Sequence, residues 1–174
     1  MNVTPAASGA VLSPDRRYRY VLWRQLRWDE DAPDFVAIML NPSTADEAVN
    51  DPTIRRCLGF ANRERAGRLI VVNLFAMRAT DPAELKQWTI QQAVGPNNLT
   101  YMIQVVRDAA SRPGSIVLGA WGAHPIAAGE AEDARELVAS FDMTMMCLGT
   151  TKSGAPRHPL YVRGDTPLVP WYPS

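Results

Sequence analysis

Residues 35–40, Phe-Val-Ala-Ile-Met-Leu, form an unbroken apolar run of strand length that ends on Asn41-Pro42. A strand with one wet face alternates apolar and polar side chains, so an unbroken run marks a strand covered on both faces. Residues 69–75 (LIVVNLF) and 116–120 (IVLGA) have the same character, and 143–148 (MTMMCL) is a weaker fourth. Residues 17–23 (RYRYVLW) alternate instead, which predicts an edge or antiparallel strand, and the acidic stretch Asp29 to Asp34 predicts a turn after it. Helical stretches lie between the runs. Asp51 is an N-cap with Pro52 at the first helical position, Ile54, Leu58 and Ala61 recur on one face, and Gly67 stops the pattern. Gly95-Pro96 open a second helix reaching about Ala110, and residues 130–140 make a third. Strands alternating with helices predict an α/β fold, a three-layer αβα sandwich around a mostly parallel central sheet. Residues 1–16 read as an N-terminal tail and 17–174 as a single α/β domain.

Composition narrows the function. The 174 residues are 47% hydrophobic and 21% charged, which excludes a disordered, collagen-like or disulfide-stapled chain. Eighteen basic residues balance eighteen acidic ones, so the chain cannot coat nucleic acid by net charge alone. Sixteen of the basic residues are Arg, clustered at Arg16–Arg27 and Arg55–Arg68, either from an Arg-biased genome or for bidentate recognition of phosphate or carboxylate. Cys57 and Cys147 are too few for a disulfide framework and lack metal-site spacing, so a reducing cytoplasm and no metal are expected. No apolar run approaches the ~20 residues that span a bilayer, so no membrane partner is expected.

In such a fold ligands bind beyond the carboxyl ends of the parallel strands. Asn41-Pro42-Ser43-Thr44-Ala45-Asp46 follows the first buried strand, as a turn bonded to its own backbone or as part of a site. Asn73 interrupts the second buried strand. A buried amide must be hydrogen-bonded, so Asn73 has either an internal backbone partner or a ligand, and its paired donor and acceptor suit the edge of a nucleobase. Phe75 and Arg78 follow it, and Asp81-Pro82 reads as a helix cap. After the third strand, Trp121 reads as core and His124 as a surface or capping residue. The polar segment 149–159 carries Lys152, Arg157 and His158. Its Gly149–Ser153 lacks the glycine before lysine that a phosphate loop needs, and the chain has no nucleophile elbow, paired-His motif or dinucleotide fingerprint, so no cofactor is expected.

Leu40-Asn41-Pro42-Ser43-Thr44-Ala45-Asp46, Asn50-Asp51-Pro52-Thr53-Ile54-Arg55-Arg56, Val72 through Thr80, Ala120-Trp121-Gly122 and Thr151-Lys152-Ser153-Gly154 to His158-Pro159-Leu160 closely resemble the bacterial and phage domain-of-unknown-function family 1643. More distantly, strand-Asn-Pro-Ser, strand-Asn, apolar strand and a late His-Pro resemble the uracil-DNA glycosylase superfamily. That resemblance implies a glycosylase-like fold in which Asn41 positions the hydrolytic water, Asn73 reads the base edge and His158 steadies charge on the departing base. From the residues themselves, the pocket is expected to contain Pro42, Ser43 and Asp46, with Phe75 placed to stack on a flipped base and Arg55, Arg56, Arg78, Lys152 and Arg157 forming a basic mouth. Leu40, Ser43 and Leu160 depart from the superfamily pattern, and the insertion loop after His-Pro is very short, which argues against duplex repair. The leading expectation is a nucleobase- or nucleotide-directed hydrolase or transferase whose partner is a nucleobase, a nucleotide or a short nucleic-acid segment. The alternatives are a non-catalytic module binding a nucleotide or nucleic-acid end through Arg55, Arg56, Arg78 and Lys152, and a structural scaffold.

Overall fold

The computed structural model describes residues 7–29, 31–43, 45 and 48–172. Its strands are β1 (Ser8–Leu12), β2 (Arg19–Gln25), β3 (Asp34–Met39), β4 (Arg68–Asn73), β5 (Ile116–Gly119), β6 (Met145–Cys147) and β7 (Val169–Pro170). The helices are α1 (Pro52–Arg63), α2 (Ile90–Val94), α3 (Asn98–Ala110) and α4 (Ala128–Ser140). All seven strands join one sheet in the order β1-β2-β4-β3-β5-β6-β7. The protein is an α/β structure built on this mixed sheet.

The three unbroken apolar runs became β3, β4 and β5, and they lie side by side at the centre, parallel to one another. β6 extends the parallel set. The pairs β1-β2, β2-β4 and β6-β7 are antiparallel, so the sheet is mixed rather than mostly parallel. The reason is connectivity. Parallel neighbours need a long crossover, and α1 and α3 supply it between β3, β4 and β5, whereas β1 and β2 are joined by a short turn. Residues 8–12, expected within a tail, pair with β2 along its length, so β2 is not an edge. Gly9 permits this pairing, because a Cβ there would lie 2.1 Å from the Trp23 ring opposite it.

Strand periodicity divides the core. Val36, Ile38, Ile70 and Val72 pack with α3 and α4, and Phe35, Ala37, Leu69 and Val71 pack with α1. The α1 start is as the sequence predicts, with the Asp51 carboxylate accepting the Ile54 N–H at 2.8 Å. Asp81 likewise caps the short 3-10 helix Pro82–Gln87. Gly95-Pro96 do not open the second long helix. Gly95 ends α2 with φ +87°, and α3 starts at Asn98. The helix α2 was missed, although Thr89 and Gln92 form a capping box at its start. Cys57 and Cys147 are buried and unpaired, and burial pushes the Cys57 thiol up to about 12. Among the described residues no helix is long and apolar enough to cross a membrane, and no group of three His, Cys, Asp or Glu could hold a metal.

At the amino end of β3, Asp34 is 2% exposed and takes two hydrogen bonds from Arg68, at 3.0 and 2.9 Å, with Arg112 at 3.7 Å. Both guanidinium groups are partly exposed, so water can reach them if the carboxylate is removed. Asp34→Ala should therefore lower stability by about 1–3 kcal/mol, less than the loss for a fully buried pair. Urea unfolding checks this, and a loss within 0.5 kcal/mol would show that the ion pair contributes little.

Candidate functional site

From β3 the chain crosses through α1 to β4 on one side of β3, then through α3 to β5 on the other. The strand order reverses at β3, and a crevice opens at such a point beyond the carboxyl ends. A cavity of about 460 Å³ lies there, with lining contributed by the segments after β3 and β5, the end of β4, the start of α1 and the 158–161 segment.

Asn73 is the last residue of β4 and stands beside Met39 of β3 in register. Its parity matches Leu69 and Val71, so the side chain leaves the sheet on the α1 side and enters the cavity. The residue is 1% exposed, and neither Oδ1 nor Nδ2 has a hydrogen-bond partner among the described residues. The internal backbone partner that the sequence left open is absent among the described residues. Asn98, on the first turn of α3, holds the strand end in place, its Nδ2 donating to the carbonyls of Asn73 (2.8 Å) and Leu74 (3.1 Å).

Asn41 follows β3 and lines the same cavity with Ser43. Its Nδ2 donates to the carbonyls of Pro42 (3.1 Å) and Ala79 (2.9 Å), which fixes the amide and leaves Oδ1 as the end able to accept. Both histidines of the chain line the cavity, and each precedes a proline. Nδ1 of His158 accepts the Leu160 N–H at 3.3 Å, and Nδ1 of His124 accepts the Ile126 N–H at 3.4 Å. A neutral ring that accepts at Nδ1 carries its proton on Nε2, so both rings are set as Nε2–H donors. Burial holds the His158 imidazole below its ordinary value, and the Asp51 carboxylate partly opposes that shift. Gly122 adopts φ +78°, and a Cβ there would stand 3.5 Å from Cβ of His158.

Asn41, Ser43, Asn73 and His158 are thus brought together, and the remaining site residues expected from sequence are not. Asp46 lies outside the described residues. Phe75 is 0% exposed within the core and cannot stack on a base. Pro42 is buried and does not line the cavity; its carbonyl accepts from Asn41 and from the Ala79 N–H. None of Arg55, Arg56, Arg78, Lys152 and Arg157 lines the cavity, so no basic mouth forms from them. The guanidinium groups are occupied with backbone carbonyls: Arg55 with Asn50, Arg56 with Pro159 and Val162, Arg78 with Arg16, and Arg157 with Thr150. Lys152 sits exposed at the tip of a hairpin closed by the Thr150–Pro156 bridge.

Arg19 and Tyr161 also line the cavity and were not singled out from sequence as site residues. Arg19 is buried at the start of β2 and donates to the Ala45 carbonyl at 2.6 Å, although the alternation there places it on a wet face. Trp121 and His124 do have the core and capping roles expected of them and line the cavity as well. Tyr161 is 80% exposed at the rim, its ring centroid 5.6 Å from that of His158. The repeated His-Pro dipeptide, at 124–125 and 158–159, was the available signal for pairing the two histidines.

The depressed His158 value has a signed consequence. As pH falls through about 6.5 the unfolded ring takes up a proton that the folded ring refuses, so stability present above that pH declines toward the lower folded value. Nitrogen-detected NMR should show the Nε2–H tautomer at neutral pH and a titration below 6.5, and His158→Gln should flatten the stability profile there. A titration at or above 6.5 would contradict the buried, capping geometry.

No curated protein matches the chain, and no solved structure matches it. A family model described as protein of unknown function (DUF1643) matches residues 19–160, most of the chain including β2 through His158. The chain belongs to that family.

Proposed function

We propose that the cavity binds a nucleobase and that the protein cleaves the N-glycosidic bond of a nucleoside or of a nucleotide in a short nucleic-acid segment. The observation that carries this reading is Asn73, a nearly inaccessible amide with both polar atoms unpartnered at the wall of the cavity. Leaving such a group unsatisfied costs on the order of 1–3 kcal/mol, and a ligand presenting an acceptor beside a donor removes that cost. The imide edge of a pyrimidine presents that pair. The cavity volume of about 460 Å³ leaves room for part of the sugar as well.

The chemistry asked of the chain is modest. As the base–C1′ bond breaks, its electron pair leaves with the base, a water oxygen joins C1′, and the released water proton ends on the base or solvent. Asn41 Oδ1 is fixed by the two bonds its Nδ2 makes and is suited to accept from that water. The Nε2–H of His158 is suited to donate to the base as it becomes anionic, a role that needs a neutral ring with a set tautomer. The arrangement of α1 on one face of the sheet and α3 and α4 on the other supports a three-layer, glycosylase-like reading of the fold. The Arg-based binding module is less favoured, because Arg55, Arg56 and Arg78 hold backbone carbonyls. A cytoplasmic location fits two free thiols.

The test separates ligand binding from folding. Asn73→Ala should leave the stability of the free protein unchanged or raise it by about 1 kcal/mol, because the lost amide had no partner, while weakening uracil binding by about 10- to 100-fold. Base release from a uracil-containing single-stranded oligonucleotide, followed by chromatography, should disappear in Asn73→Ala and Asn41→Ala. Destabilisation by Asn73→Ala with uracil binding intact, or no binding of any base by the wild-type protein, would overturn the proposal.

A further inference from the structure

A second cavity of about 350 Å³ adjoins the first, and the segment Trp121-Gly122-Ala123-His124 lines both. The two hollows differ in chemistry. The first holds Asn41, Asn73, Asp51 and Arg19, whereas the second is walled by Trp121, Trp171, Pro125, Ala127, Ala131 and Ala155. Its one carboxylate, Glu132, is paired with Arg135.

The second hollow is held open by fixed parts. Trp171 packs edge-on against Trp121 with ring centroids 5.1 Å apart, and its indole N–H donates to the Gly154 carbonyl at 2.9 Å. That bond ties the C-terminal segment to the 150–156 hairpin, so one wall cannot fall inward without losing it. On the opposite side α4 presents alanines, which leave the space between helix and hairpin unfilled. The strand order fixes the direction. Asn73 ends β4, Asn41 follows β3, Trp121 follows β5 and the hairpin follows β6, so the second hollow lies beyond the β5 end on the α4 side of the sheet, and a ligand reaching it from Asn73 on the α1 side passes over the strand ends along Trp121–His124.

We infer that the two cavities form one bipartite site, and that the ligand is a nucleobase bearing an apolar or aromatic substituent, its polar edge on Asn73 and its substituent in the Trp121–Trp171 hollow. This rests on the reading of Asn73 given above and deepens it, because it assigns the substrate class as enlarged bases rather than plain uracil. An unsubstituted base occupies only the polar cavity and leaves the apolar one to water, while an added ring removes apolar surface from water on both partners.

The probes are free uracil and uracils carrying a benzyl group at C5 or at C6, with affinities measured by calorimetry. At least one benzyl compound should bind about 10- to 100-fold more tightly than uracil, as expected for burying one aromatic ring. Ala131→Phe fills the hollow from α4 and should bring that affinity back to the uracil value without changing uracil binding. Ala131 is buried, so Ala128→Phe, at an exposed position lining the same hollow, provides the same test if the first variant fails to fold. If neither benzyl compound gains affinity, or if the gain survives both variants while uracil still binds, the bipartite site is wrong and the nucleobase reading stands. If neither uracil nor the benzyl compounds bind, both fail.

Discussion

The site of this protein is made of loops, and loops have no ladder to satisfy their carbonyls. Arginine does so instead. Arg19 holds the Ala45 carbonyl, Arg24 the Val49 carbonyl and the Asn50 side chain, Arg56 those of Pro159 and Val162, and Arg63 those of Gly164 and Thr166. Each guanidinium carries several donors in a rigid plane, so one side chain can tie two carbonyls of a polar segment that buries little apolar surface. The segment carrying His158 is fixed to α1 in this way, and Ala45, Val49 and Asn50 are fixed to β2. Arg suits this use better than Lys, and phosphate recognition is not required to account for these four arginines.

Against that background of satisfied carbonyls, Asn73 stands out. Its neighbour in space, Asn98, uses its amide nitrogen to hold the very strand end that carries it. Asn41 is fixed by two carbonyls, and each histidine is fixed by one backbone N–H. The groups around the cavity are thus held in place, and the Asn73 amide at its wall, buried with neither polar atom partnered among the described residues, is oriented by its own strand. Pre-organised polar groups around a pocket are what selective binding of a small polar ring needs.

Much of this was legible in the sequence. Unbroken apolar runs gave the three central strands, and Asp51-Pro52 gave the start of α1, because a buried parallel strand and a capped helix each leave a local signature. The strand-end rule then brought Asn41, Ser43, Asn73 and His158 to one place. Other features were set by long-range partners that leave no such mark. Phe75 follows a strand end just as a stacking residue would, yet the α3 side of the sheet buries it. Arg56 reads as a phosphate ligand until the C-terminal segment, about a hundred residues away, is seen to lie against it, and Arg55 until it is seen to hold the Asn50 carbonyl before its own helix. Residues 8–12 alternate too weakly to mark a strand, and their pairing depends on Gly9 meeting Trp23. The His-Pro dipeptides at 124–125 and 158–159 mark both histidines locally, but that both line one cavity depends on β5 and β6 being neighbours in the sheet.

The central claim is that the Asn73 amide faces a ligand rather than the protein. The side-chain NH₂ resonances of Asn73, assigned by their disappearance in Asn73→Ala, report on this directly during a titration with uracil. They should move in a saturable way, with slowed exchange of the amide protons as the base covers them. Resonances that stay in place while uracil shifts other signals would contradict the claim, because the base would then be bound without the group that was argued to read it.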